Sequence, residues 1–185
     1  MTFIKGCLLL SLFALIIGIA NAQSNKLLPY KNPSLSTEKR AKDLLSRMTI
    51  DEKVGQLMAV WDNNPDRFND AFFADEAKAK KILGNGINSC QPYFADIKET
   101  VTTRNRLQKY LAEKTRLGIP SFFVDEGQHG LMKPEATSFP MAIGLACSWD
   151  PKLFKEVYTV AANEMSSRGT HHVLSPVIDV CRDPR

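Results

Sequence analysis

The segment Phe122-Phe123-Val124-Asp125-Glu126-Gly127-Gln128-His129-Gly130 joins an apolar run to two adjacent carboxylates, a histidine and two glycines. Carboxylates can attack, move protons or grip hydroxyls, and a nearby histidine can shuttle a proton. The plainer reading makes Asp125 and Glu126 loop caps, Gly127 and Gly130 turn residues and His129 a structural loop histidine. A lone Asp-Glu pair does not decide between the two. A second concentration of charge follows the run "VIDVCRDPR", with Asp179, Arg182, Asp183 and Arg185. Asp179 and Asp183 could pair catalytically, but Arg182 and Arg185 are placed to neutralise and orient them. His171 and His172 resemble a metal pair, yet adjacent strand residues point to opposite faces and cannot share one ion. No third ligand is in view, so no metal is expected, and no cofactor.

Bulk properties set the frame for this chemistry. A chain of 185 residues can bury one real core but is short for a large α/β barrel. Hydrophobic content of 44% with 24% charged residues argues against disorder. The net charge of +4 is mild, and the basic residues are interleaved with acids, so no nucleic-acid partner is expected. Residues 1–22 read as a signal peptide: Lys5, then the apolar run "LLLSLFALIIGIA" at 8–20, then small residues at "ANA". That run is too short for a comfortable membrane span. The protein is therefore expected to be exported, periplasmic or secreted. Cys7 precedes the apolar run and is badly placed for lipid attachment. Cys90, Cys147 and Cys181 remain, an odd number without CxxC spacing, so buried small hydrophobes are the default and one disulfide is possible.

The elements that must position these groups can be read from periodicity. Residues 23–34 form a polar leader segment. "STEKRAKDLLSRM" from Ser36 suits a helix with Ala41, Leu44, Leu45 and Met48 on one stripe. Thr49-Ile50-Asp51-Glu52 is a capping box opening a helix with Val54, Leu57 and Met58 inward. Residues 61–75 look like a surface excursion. "ADEAKAKKIL" is a short helix, "INSC" a strand, and "IKETVTTRNRLQKYLAEKTRLG" a long helix stopped at Gly118. "SFFVD" is the next strand. Asp150-Pro151 starts a further helix that Gly169 closes, and "HHVLSPVIDV" reads as a strand buried on both faces. A strand–helix–strand series of this kind builds a parallel sheet. Polar residues at carboxyl ends of such strands line active sites, which is where "FFVDEG" falls.

Four stretches, "SRMTIDEKVGQLM", "LGIPSFFVDEGQHGLM", "ATSFPMAIGLACSWDPKLFKEV" and "VLSPVIDVCRDPR", resemble glycoside hydrolase family 3 in order and spacing. That family includes β-glucosidases and β-xylosidases, and the resemblance covers about residues 35–185. It implies an α/β fold, the first and truncated part of a (β/α)8 TIM-type barrel, with residues 35–185 a partial N-terminal domain. It also implies retaining hydrolysis by an aspartate nucleophile and a glutamate acid/base, a chemistry that needs carboxyl groups roughly 5–5.5 Å apart.

The family's sugar-gripping carboxylate stands three residues before the histidine of its His-Gly pair, which is Glu126 ahead of His129-Gly130. Asp125 is the alternative if the loop register shifts by one. Substrate-binding candidates are therefore Glu126, Asp125 and His129. Glutamate here resembles the xylosidase-like branch, a slight tilt, since one methylene in a pocket is worth ~1–3 kcal/mol. Trp149 could stack on a sugar, but its place before Asp150 suggests a hydrophobic staple. The resemblance puts the nucleophile later in the barrel and the acid/base commonly in a second domain, both beyond Arg185; a separate sugar-contacting family motif, R-D-P-R-W-G-R, begins here at Arg182-Asp183-Pro184-Arg185. The expectation is thus the front of an exported β-glycosidase acting on oligosaccharides or aryl β-glycosides, inactive by itself. The alternative is a non-catalytic carbohydrate-binding or assembly module.

Overall fold

The computed structural model describes residues 27–61, 68–91, 96–180 and 182. The expected signal peptide, Cys181, Asp183 and Arg185 lie outside these described residues. The chain divides into two compact units, Met1–Met48 and Thr49–Arg185.

In the first unit Ser36 caps helix α1 (Thr37–Arg47), its side chain accepting from the Lys39 amide. The Tyr30 amide donates to Asp43 at 3.1 Å, and Arg40 Nε donates to the Tyr30 carbonyl at 2.9 Å. No residue of α1 is buried, so the expected apolar stripe does not form an inward face, and Leu45 is half exposed. Polar ties to the Tyr30 segment hold this helix instead.

The second unit opens on the capping box: Thr49 accepts from the Glu52 amide while Glu52 accepts from the Thr49 amide. Helix α2 (Ile50–Gly55) buries Glu52 and Gly55, whereas Val54, Leu57 and Met58, expected inward, are exposed. The reason is backbone approach. A Cβ at Gly55 would sit 2.6 Å from the Asn85 carbonyl oxygen, so the glycine face docks and the apolar side chains turn outward. Strand β1 (Ala59–Trp61) follows, then α3 (Asp70–Ala74) and α4 (Glu76–Leu83). Strand β2 (Ser89–Gln91), helix α5 (Ile97–Lys114) and strand β3 (Phe122–Glu126) come next. Helices α6 (Ala142–Ala146) and α7 (Pro151–Ser167) and strand β4 (His172–Leu174) complete the order.

Three further expectations change. The described part of 61–75 is not a surface excursion: Phe68 and Phe72 are fully buried, their rings meeting edge to face. Asn69 caps α3 through the Phe72 amide, and that single turn swings Phe72 inward. Helix α5 ends at Lys114, ahead of Gly118, because Thr115 is already extended; Gly118 takes its left-handed conformation later, in the loop. The run "HHVLSPVIDV" pairs only through His172–Leu174, and Val177, Ile178 and Val180 are exposed. Pro176 has no amide hydrogen to continue the ladder, and β4 has one neighbour, β3, among the described residues.

The four strands are parallel and lie in the sequential order β1-β2-β3-β4. A doubly wound sheet reverses its order partway; this one does not, so its helical crossovers collect on one face, as in a barrel. Burial agrees, strand by strand. Cys90 and Phe123 are buried in register on the helix side, while Phe122 is exposed on the other. The core on the helix side comprises Phe68, Phe72, Ala79, Leu83, Ile87, Cys90, Leu107, Leu111 and Phe123. Each large side chain there contributes about 1.5–3 kcal/mol by leaving water. A smaller cluster of Leu131, Ala161 and Met165 seats the segment after β3 on α7. The architecture is an α/β partial barrel.

Candidate functional site

Strand β3 ends on the two carboxylates, and the pleat of a strand sends neighbours to opposite faces. Asp125 follows Phe123 onto the helix face and is 1% exposed. Glu126 follows Phe122 and Val124 onto the other face, where it is half-buried. In a barrel that face is the interior and the carboxyl ends of its strands are the reaction rim.

Asp125 is held from several elements. Arg104 Nη2, from α5, donates to Oδ2 at 2.6 Å, and the Thr170 hydroxyl, just before β4, donates to the same oxygen at 2.5 Å. Lys133 Nζ stands 3.3 Å from Oδ1, close enough for an ion pair but outside aligned hydrogen-bond geometry. Arg104 Nη1 also donates to the Arg168 carbonyl at 2.8 Å, and its guanidinium lies 5.0 Å from the Phe123 ring centre. Burial pushes the Lys133 ammonium below the ordinary lysine range. Asp125 opposes that, while Arg104 and Arg168 add to it.

Glu126 makes no ion pair or side-chain hydrogen bond with the described residues, so its carboxylate is available. Its carbonyl accepts from the Met132 amide at 3.3 Å. The loop beyond is tied down repeatedly. Ser175 donates to the Gly127 carbonyl, Tyr158 to the Gln128 carbonyl, and the Phe139 amide to the His129 carbonyl at 2.7 Å. Gly127 is closely packed: a Cβ there would lie 2.4 Å from Met165 Cε and 2.9 Å from Val173 Cγ1, so those side chains would have to shift. Gly130 has φ +94° and a Cβ there would lie 2.2 Å from the Thr137 carbonyl oxygen. His129 thus sits, half-buried, three residues from Glu126 in a loop of fixed path.

Other sequence candidates are not brought to this site. Asp179 is exposed, and Asp183 and Arg185 lie outside the described residues. His171 joins β3 to β4: its amide donates to the Phe123 carbonyl at 2.9 Å and its Nδ1 accepts from the Phe123 amide at 3.1 Å. Among the described residues no group of three His, Cys, Asp or Glu could hold a metal ion, and no helix is long and apolar enough to cross a membrane. Cys147 is an exposed free thiol, and Cys90 is buried in the core. Trp149 is 90% exposed, so the staple expected at the start of α7 does not form.

Sequence reasoning missed Arg104, which it counted among dispersed surface cations. The signal was present: Thr100, Arg104, Leu107 and Leu111 recur at helical spacing and form the buried stripe of α5. A cation on an apolar stripe implies a buried acid opposite.

Comparison with known proteins gives this site its context. The family profile described as the glycosyl hydrolase family 3 N-terminal domain matches residues 49–185. A periplasmic β-glucosidase of Salmonella typhimurium is 33% identical over 147 residues, covering 77% of this chain and 17% of that protein. A xylan 1,4-β-xylosidase of Xylanibacter ruminicola is 29% identical over 190 residues, covering 93% of this chain and 16% of that protein. A solved β-glucosidase from Erythrobacter marinus superposes with a TM-score of 0.63 at 29% identity, covering 84% of this chain and 20% of that one. The chain spans about a fifth of the length of the curated relatives it matches. With a sequentially ordered parallel sheet, a carboxylate on its rim and this match across residues 49–185, the chain belongs to glycoside hydrolase family 3.

Proposed function

We propose that this chain supplies the amino-terminal rim of the active site of an exported retaining β-glycosidase, one that releases terminal β-linked glucose or xylose from oligosaccharides. The observation that carries this reading is Glu126, an available carboxylate at the carboxyl end of β3 on the face opposite the helices. Glu126 grips sugar hydroxyls through charge-assisted hydrogen bonds, which strengthen as the sugar distorts toward its transition state. His129, in the same pinned loop, lines the sugar's edge. No residue of the chain is assigned as nucleophile or acid/base, so the 185-residue chain binds sugar without cleaving it.

Export rests on the signal-like residues 1–22, with a periplasmic relative in support. Residues 23–34 are a leader segment, and 35–185 contribute to the barrel domain. Two readouts on the purified chain test the reading. Adding D-xylose should perturb the NMR signals of Glu126, Gly127 and His129 and release no nitrophenol from an aryl β-xyloside control. Perturbation confined to other regions, or measurable turnover, contradicts it.

A further inference from the structure

The loop that carries His129 is closed by two successive contacts. Lys133 Nζ meets Asp125 Oδ1 at 3.3 Å, and one residue inward on each side the Met132 amide meets the Glu126 carbonyl at 3.3 Å. Glu126 is the first residue inside this closure and His129 lies at its middle. From the helix side Arg104 and Thr170 hold the other Asp125 oxygen, Oδ2, anchoring the strand end to α5 and to the start of β4. Three elements therefore converge on one carboxylate whose side chain, 1% exposed, faces away from Glu126.

Stability alone is a poor reason for such a cluster. Removing charges from water costs nearly what their attraction returns, and an apolar replacement of similar volume often serves as well. What the cluster does supply is direction. Asp125 can satisfy Arg104, Thr170 and Lys133 together only when β3 is rotated so that its next residue points to the opposite face. We propose that Asp125 is a positioning residue: by holding Arg104, Thr170 and Lys133 it fixes the carboxyl end of β3, so that Glu126 and His129 meet the sugar in one geometry. This rests on the assignment of Glu126 as a sugar contact. Asp125 itself touches no sugar, and its influence passes through the strand and the loop closure.

The test uses the full 185-residue chain, D-xylose as probe, and NMR with labelled glutamate, histidine and tyrosine. Thermal unfolding is measured alongside. The variants are Asp125→Asn, Lys133→Met and Glu126→Gln. Glu126→Gln removes the contact itself. Asp125→Asn removes the shared anion. Lys133→Met keeps the Asp125–Arg104 pair and removes the Lys133–Asp125 contact of the loop closure, so it carries the test if Asp125→Asn fails to fold. Misplacing a binding group by a fraction of an ångström to an ångström is expected to weaken xylose affinity by about tenfold or more in folded Lys133→Met and Asp125→Asn. In both variants the Glu126 carboxylate and His129 ring signals should shift even without sugar, while the Tyr110 signals stay in place; a merely structural role would lower the unfolding temperature without that local signature. Folded Lys133→Met or Asp125→Asn binding xylose as tightly as wild type, while Glu126→Gln does not, overturns the positioning role and leaves the sugar contact standing. Glu126→Gln binding as wild type overturns the contact, and the positioning role falls with it.

Discussion

The Asp125 carboxylate accepts from Arg104 at 2.6 Å and is 1% exposed, whereas Glu126, the next residue, points to the opposite face with no ionic partner among the described residues. One peptide bond separates a fixed charge from an available one. Strand alternation is the cause, because β3 is covered by α5 on one side only. The available carboxylate falls at the carboxyl end of the strand, where barrels carry their chemistry.

If Glu126 contacts the sugar as proposed, the length of its side chain is expected to tilt which sugar fits. A shorter acid at this position leaves room for the hydroxymethyl group that glucose has and xylose lacks. Glu126→Asp is expected to shift the ratio of glucose to xylose affinity toward glucose, by a factor of roughly 10 within the range one methylene allows. Parallel titrations of both sugars against the two chains check this; an unchanged ratio contradicts it.

Acid should loosen the start of the second unit. Arg116 pairs with both oxygens of Glu52, at 2.8 Å from Oε1 and closer still from Oε2, and holds the Glu52 carboxyl below its ordinary value. Burial opposes that shift, and the Thr49 amide adds to it. Because the folded value is the lower one, this pair stabilises above the carboxyl's unfolded value, and the contribution is lost as pH falls through the folded value. Glu52→Gln keeps the capping box, since glutamine also serves there, and removes the charge. Unfolding temperature measured from pH 7 to pH 3 should fall more steeply for wild type than for Glu52→Gln. Parallel curves would contradict the assignment.

Gly130→Ala should destabilise the chain by more than about 1 kcal/mol, because alanine resists a positive φ. The new methyl carbon would also stand 2.2 Å from the Thr137 carbonyl oxygen, which the backbone must yield to. Urea unfolding measures the cost. A loss within a few tenths of a kcal/mol, the scale of a neutral surface change, contradicts the loop path described for His129.

Much of this frame is legible in the sequence because its signals are local. The Thr49–Glu52 capping box, the Asp150-Pro151 helix start and the strand through Phe122–Asp125 each need only neighbouring residues, and each forms. The errors come from long-range cover. Phe68 and Phe72 sit in too short an aromatic stretch to show a period, yet Leu83, Leu107 and Leu111 enclose them. Val54 and Leu57 carry a helical period, but the close approach of Gly55 to Asn85 turns them outward. The run through Val177 and Val180 is apolar enough for a buried strand, but cover on both faces is supplied by neighbours, not by the run. At the site, the family resemblance points to Glu126 with Asp125 as its alternative, whereas the pairing that buries Asp125 depends on Arg104, 21 residues upstream.

The central claim is that Glu126 contacts the sugar, and isothermal titration of D-xylose into wild-type and Glu126→Gln chains tests it most directly. Replacing a carboxylate acceptor by a neutral amide removes charge-assisted hydrogen bonds, each worth about 1.5–3 kcal/mol, so binding by Glu126→Gln should weaken by roughly tenfold or more at unchanged unfolding temperature. Equal affinity in the two chains would contradict the account.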